Sequence, residues 1–135
     1  MIDLMSAVQA AVYASLAASV PAGVADVFDV VPEGFLGNFV QVGDIECTNE
    51  SAKGEQGESF EVQVNFVYLG KDRGVLLAMM HAGRVALDGQ TLEADDVQFS
   101  EPRFLGGVAD SVPIRTAKGL LYTGVSAFEI FAEPA

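Results

Sequence analysis

The sequence of 135 residues contains one cysteine, one histidine and no tryptophan. The single cysteine, Cys47, excludes an internal disulfide and any metal site built from several cysteines. It lies in a predicted strand, where we expect it to be a small buried apolar residue. The single histidine, His81, excludes a metal site with several histidines. Because His81 lies in the middle of a predicted helix, we interpret it as a structural residue and not as a catalytic base.

Basic residues are also scarce: 7 lysines and arginines stand against 19 acidic residues, which gives a net charge of −12. Specific nucleic-acid binding depends on lysine and arginine side chains that neutralise phosphates. The sequence has no basic cluster, so we exclude this class of function. Two interpretations of the acidic surface stay open. It keeps the protein in solution, or it lines a channel wall that lets DNA pass without binding it.

No apolar run is long enough to cross a membrane. Half of the uncharged residues 4–25 are alanine or serine, and a helix formed by this stretch must break at Pro21. The remaining helix of about 16 residues reaches only ~24 Å, less than the ~30 Å hydrocarbon core. A signal peptide begins with basic residues, whereas the first charged residue here is Asp3. We therefore expect neither a membrane span nor a signal peptide.

Apolar side chains, by contrast, are abundant. Half of the residues are apolar and the mean hydropathy is +0.34, which excludes intrinsic disorder. A chain of this length buries a core of its own, so we expect a single domain over residues 1–135. So apolar a chain is expected to expose patches of the kind that mark partner surfaces. The composition therefore predicts a homo-oligomer.

The hydrophobic pattern predicts an α+β fold, with two helices packed on a mostly antiparallel sheet of about four to five strands. The first helix covers residues 3–19, with Asp3 or Ser6 as its cap, and the second begins after Asp72 and stops at Asp88. Its predicted apolar stripe consists of Leu76, Met79, Met80, Gly83, Val85, Ala86 and Leu87. The predicted strands are residues 24–30, 39–48 with a bulge at Gly43, 60–69, 97–105 and 120–132, with a loose connection over 106–119.

Acidic residues form two groups, each of which is a candidate metal or catalytic site. The first follows the predicted hairpin and its polar loop (residues 48–57): Asp44, Glu46, Glu50, Glu55, Glu58 and Glu61. The second consists of Glu93, Asp95 and Asp96. Carboxylates bind Ca²⁺ or Mg²⁺, but the spacing does not follow the calcium-loop signature, and no glycine pattern matches a phosphate-binding loop. A solvated rim explains both groups, so we predict no catalytic residue, no metal site and no cofactor.

A series of landmarks runs along most of the chain in a fixed order. It comprises an alanine-rich opening helix with Val12-Tyr13, the segment VFDVVPEG (27–34), an aromatic-led strand (39–43), a polar loop before the alternating strand 60–68, a helix ending in Leu87-Asp88-Gly89, and a final strand with Tyr122-Thr123-Gly124 that ends in Glu133-Pro134. This ordered set resembles the phage tail-component family of tail terminators. These proteins are also called tail-completion or head–tail-joining proteins, and gene transfer agents have them too.

The resemblance implies a structural virion protein without enzymatic activity, assembled in the bacterial cytoplasm. Such proteins form a ring, commonly sixfold, on the last ring of the tail tube protein. The ring halts tube growth and presents a surface to the head connector or stopper protein, while DNA passes only as cargo. We expect the following residues to be interface or lumen elements: Asp44, Glu46, Glu50, Lys53, Glu55, Glu58 and Glu61.

Two other hypotheses stay open at this point. One is a small-molecule- or metal-binding α+β domain, or an enzyme, that uses acids such as Asp95 and Asp96 and needs a deep pocket. The other is a tail-tube or head-connector subunit, which differs from a terminator in its position along the tail.

Overall fold

The structure is a computed structural model that describes residues 2–35, 37–49 and 57–135. In chain order, its elements are helix α1 (Leu4–Ser19), strands β1 (Asp26–Phe28), β2 (Phe39–Asn49) and β3 (Glu58–Leu69), helix α2 (Arg73–Leu87), and strands β4 (Val97–Phe99), β5 (Arg103–Ala109), β6 (Ile114–Thr116) and β7 (Gly119–Pro134). The two helices pack on a mostly antiparallel sheet, which confirms the predicted α+β class.

Each helix begins after an aspartate that caps its first turn. Asp3 accepts a hydrogen bond from the backbone N–H of Ser6 at 3.0 Å. Asp72 accepts one from the backbone N–H of Gly74 at 2.9 Å. These carboxylates satisfy N–H groups that have no partner within the helix. Shortly after α2 ends, Gly89 has a φ of 71°, a left-handed conformation that glycine adopts without strain.

Strands β3 and β7 form the centre of the sheet, whose order is β1-β2-β3-β7-β4, with β5 and β6 also paired to β7. Strand β1 runs parallel to β2, and the other pairs are antiparallel. The described residues form seven strands, more than expected, because the predicted strand 97–105 is divided between β4 and β5 and because the three-residue β6 shows no readable alternation. The β2–β3 register shifts between Val42 and Ile45, which confirms the predicted bulge at Gly43.

Alternation along the strands separates a helix-covered face from an open face. The helix-covered face forms one core with the inner sides of both helices. Its largest fully buried side chains are Phe60, Phe66, Phe128, Leu16, Leu76, Met79, Leu87, Ile130, Val8, Val12, Val40 and Val62. The alternation of the sequence predicts these faces: Phe60, Val62, Val64, Phe66 and Tyr68 of β3 and Gly124, Ser126, Phe128 and Ile130 of β7 are all buried. The open face carries the intervening, less buried residues, and in the described part of the chain both helices lie on the other side.

The last third of the sheet differs from the sequence prediction. The predicted strand 97–105 is interrupted between β4 and β5, where Pro102 has no N–H to donate to a neighbour. The predicted loose connection 106–119 contains the second half of β5 and all of β6. Its glycines hid this strand, because glycine is rare in strand interiors, and the pairing of β5 with β7 slips between Phe104 and Gly106.

Two further predictions need correction. The first strand is limited to β1, shorter than the predicted residues 24–30. Val85, which we assigned to the apolar stripe of α2, is 56% exposed. It lies on the outer side of the helix, since its neighbours Ala86 and Leu87 turn toward the core and both are buried.

Candidate assembly surface

A row of three carboxylates crosses the open face. Backbone pairing places Glu46 of β2 opposite Glu61 of β3, and Glu61 opposite Glu129 of β7. Residues directly opposite each other on antiparallel strands have Cβ atoms roughly 5 Å apart. Three like charges therefore lie on one line across three neighbouring strands. We call Glu46, Glu61 and Glu129 the acidic row.

Arg103 of β5 lies at the end of this row. Its backbone pairs with Glu129, and its Nη2 lies 2.7 Å from Glu129 Oε1. The two side chains are 69% and 44% exposed, so water screens the pair and its contribution to stability is small, about 0–1 kcal/mol. One guanidinium thus faces three carboxylates, and the row keeps an excess of negative charge.

Sequence reasoning found two of the three members of the acidic row. Glu46 and Glu61 were predicted as interface or lumen residues, and the structure brings them together. Glu129 was missed because it lies in a distant segment, and only the pairing of β7 with β3 places it beside Glu61. In the sequence, alternation along the last predicted strand indicates on which face of the sheet Glu129 lies, but not which residues lie beside it.

The other predicted site residues lie apart from the row. Asp44 is exposed in the β2 bulge. Glu58, at the start of β3, accepts a hydrogen bond from the Cys47 thiol, with Sγ and Oε2 2.8 Å apart. That hydrogen bond, together with burial and the charge of Glu58, raises the pKa of Cys47 to about 11. Cys47 is half-buried, whereas the sequence predicted a buried apolar residue. Glu50, Lys53, Glu55 and most of the loop 48–57 lie outside the described residues.

The second acidic group borders a wide depression of about 840 Å³, which Glu93 and Asp95 line together with Phe99 and Phe131. It is open to solvent, whereas a small-molecule site needs a deep pocket with convergent polar groups. Asp96 is not among the lining residues. Within residues 2–35, 37–49 and 57–135, no group of three histidine, cysteine, aspartate or glutamate side chains is placed to hold a metal ion.

Away from the acidic row, the open face becomes apolar. Leu121 of β7 pairs with Leu69 of β3 on one side and with Ile114 of β6 on the other. Val125 pairs with Val108 of β5. Ile114 and Val108 remain 56% and 60% exposed. These neighbouring exposed apolar side chains make this end of the face a candidate contact surface. The open face therefore has an apolar end, near β6, and an acidic end, near the start of β3.

Three phenylalanines border the apolar end and hold the segment before β2. The ring centroids of Phe28 and Phe35 are 5.0 Å apart, and those of Phe35 and Phe39 are 5.9 Å apart, both in edge-to-face geometry. Such pairs contribute roughly 0.5–1.5 kcal/mol each beyond their burial. The N–H of Phe35 donates to the carbonyl of Pro32 at 3.1 Å, which closes a turn.

No protein-family model matches the chain, and no curated protein matches it in sequence. The fold does have a solved counterpart: the chain is similar to a chain of the virion of a native gene transfer agent particle, with a TM-score of 0.79 and 25% sequence identity. The match covers 98% of this chain and 99% of the other. Among the described residues, no helix combines the length and the apolar character that a membrane crossing requires. The likeness supports a structural virion protein of a phage or gene transfer agent particle.

Proposed function

We propose that this chain, as one domain over residues 1–135, is a tail terminator of a phage or gene transfer agent particle. Its copies form a ring, six by the family resemblance, at the head-proximal end of the tail tube. The ring stops tube growth and joins the tail to the head connector; it catalyses no reaction. The observation that carries this proposal is the likeness, along almost the whole chain, to a chain of a gene transfer agent virion.

The open face supports this role. A ring subunit must contact its neighbours in the ring, the tube below and the connector above. The apolar end exposes Ile114 and Val108, and the acidic end presents the acidic row, so one face offers two chemically different contact regions. Acidic residues that remain uncovered in the assembled ring repel the phosphates of passing DNA, which keeps the channel free of bound cargo.

The test is deletion of the gene in the organism that makes the particles, followed by electron microscopy of the products. We expect overlong tails, because nothing then stops polymerisation of the tube, and we expect the intact gene to restore tail length. Absent tails would identify a tube subunit instead, and normal tails beside detached heads would identify a connector. Tails of normal length attached to heads would contradict all three roles.

A further inference from the structure

The basic side chains of this chain are unevenly distributed. The described residues include six of its seven lysines and arginines, and three of these are already engaged. Arg73 donates to the backbone carbonyls of Ala109 and Asp110. The Arg84 guanidinium lies 4.0 Å from the centre of the Phe104 ring, and Arg103 pairs with Glu129. The other three are Lys71, Arg115 and Lys118, which form no salt bridge within the described part of the chain.

These three cations lie at the apolar end of the sheet, and two of them belong to one hairpin. Arg115 in β6 and Lys118 before β7 are both exposed. The turn between them is ordered by Thr116, whose hydroxyl donates to the Gly119 carbonyl at 2.8 Å and accepts from the Lys118 N–H at 3.2 Å. Exposed Val112 and Ile114 adjoin it. We call residues 112–119 the basic hairpin.

The acidic row lies at the opposite end of the same sheet. Leu121 of β7 pairs with Ile114 of the basic hairpin, and Glu129 of the row lies further along the same strand. At about 3.3 Å per residue, the strand places Leu121 and Glu129 roughly 26 Å apart. A single subunit therefore cannot place its basic hairpin on its own acidic row, whereas the hairpin of one copy can reach the row of another copy.

The layout of the open face disfavours a symmetric contact between two such faces. If two copies met with their strands parallel, the acidic rows would meet and repel each other. If they met with strands antiparallel, each acidic row would lie on Ile114 and Leu121 of the other copy. Arg115 pairs with Leu120 and therefore points to the opposite side of the sheet from Ile114, so the row would lose its water without gaining a partner, which is costly. A head-to-tail contact avoids both arrangements, because two different patches of the chain then face each other.

We propose that the basic hairpin of one copy docks on the acidic row of the next copy. Arg115 and Lys118 then face Glu46, Glu61 and Glu129, whose excess negative charge is only partly balanced by Arg103. Each subunit in this arrangement uses both patches, so the contact repeats from copy to copy and closes into a ring if the rotation allows. This inference rests on the ring assembly proposed above and names the surfaces that build it.

The test reverses the charges and measures self-association of the purified protein by sedimentation equilibrium and native mass spectrometry. Arg115→Glu/Lys118→Glu should weaken association about tenfold or more, and so should Glu46→Lys/Glu61→Lys, because close opposite charges become like charges. The variant with all four changes should associate again. An equimolar mixture of the two double variants should also associate, since each supplies the patch that the other needs.

Two single changes serve as matched controls. Lys71→Glu reverses a cation at the same end but outside the hairpin, and is compared with Lys118→Glu. Glu93→Lys reverses an acid outside the row, and is compared with Glu61→Lys. We expect both controls to associate like the unchanged protein. The proposal is overturned if the protein stays monomeric up to about 1 mM, if the controls weaken association as much as the hairpin and row changes, or if neither the fourfold variant nor the mixture regains it.

The outcomes separate this contact from the proposed function. If self-association responds to the charge changes as expected but tails have normal length after gene deletion, the contact is supported and the terminator role is contradicted. If tails are overlong but self-association is unchanged by these charge changes, the terminator role is supported and the contact is contradicted.

Discussion

Gly83 of α2 lies directly against the ring of Phe66 in β3. A Cβ placed on Gly83 would come within 2.6 Å of Phe66 Cζ, closer than real Cβ contacts allow, and Phe66 is completely buried. The absence of a side chain at this position thus lets the helix approach the sheet. Although alanine favours helices over glycine by about 1 kcal/mol, overpacking a core costs about 1–3 kcal/mol. We expect Gly83→Ala to lower the free energy of unfolding by about 1 kcal/mol, measured with urea.

The matched control is Gly23→Ala, where a Cβ would have no heavy atom within 4 Å. This variant should unfold at nearly the same urea concentration as the unchanged protein. If Gly83→Ala were as stable as that control, the ring of Phe66 would have room to move, and its packing would not exclude a side chain at residue 83.

The acidic row should reduce the stability of the isolated subunit. Glu61 has a carboxylate opposite it on each side, and like charges at paired strand positions destabilise a sheet. We expect Glu61→Gln to raise the free energy of unfolding by roughly 0.2–1 kcal/mol in dilute monomer at low salt. Added salt should shrink the gain, because it screens exposed charges. Glu93→Gln, outside the row, should show no comparable gain.

The Cys47 thiol should react slowly with alkylating reagents. Its hydrogen bond to Glu58 raises its pKa to about 11 from the ordinary 9.0, so the reactive thiolate at pH 8 is at least about tenfold scarcer than in the unfolded chain. Glu58→Gln should increase the alkylation rate, because it removes the carboxylate. Equal rates for the two proteins, both slower than in urea, would show that limited access protects the thiol and that the carboxylate does not.

The same shift predicts a pH dependence of stability. The thiol is an acid whose pKa is higher in the folded protein than in the unfolded chain. Its contribution to stability is therefore complete below pH 9 and is lost as the pH rises through about 11. Cys47→Ala should remove this alkaline loss, as followed by thermal unfolding between pH 8 and pH 11.

Asp3 should stabilise α1 at neutral pH and lose this effect in acid, whereas the contribution of Cys47 is lost in alkali. Hydrogen bonds from the Ser6 hydroxyl and from its backbone N–H lower the pKa of Asp3 below the ordinary 3.8. Because the folded state then favours the ionised form, the stabilisation is present above that ordinary value and is lost as the pH falls through the lowered pKa. Asp3→Asn should differ from the unchanged protein at neutral pH and approach it in acid. Ser6→Ala, which removes only the hydroxyl contact, should fall between them.

Arg73 should hold the connection between β5 and β6 against α2. Its Nη2 donates to the carbonyl of Ala109 at 2.6 Å and its Nε to that of Asp110 at 3.0 Å. Arg73→Met should speed hydrogen exchange of the Asp110 amide, which bonds to the Thr123 carbonyl, by about tenfold, since two hydrogen bonds from a charged donor are lost. Arg73→Lys, which keeps the charge but not the fork of donors, should give an intermediate rate.

The elements that could be predicted are those whose pattern is complete within one segment. Asp3 and Asp72 were identifiable as caps because an aspartate before an apolar helical pattern is itself the signal. The two faces of β3 followed from strict alternation through Phe66. The second half of β5 and all of β6 were missed because glycines and short length leave no such pattern; pairing with β7 holds both of them in the sheet.

The sequence by itself determined which side chains share a face, which residues begin each helix, and that the surface is acidic and rich in apolar groups. These properties depend on neighbours within a few positions, where helix and strand geometry leave little choice. Only the tertiary structure decided that Glu129 joins Glu46 and Glu61, and that the cations of one hairpin lie at the opposite end of the sheet from them. Register between distant strands is set by the packing of the whole core, which no local pattern contains.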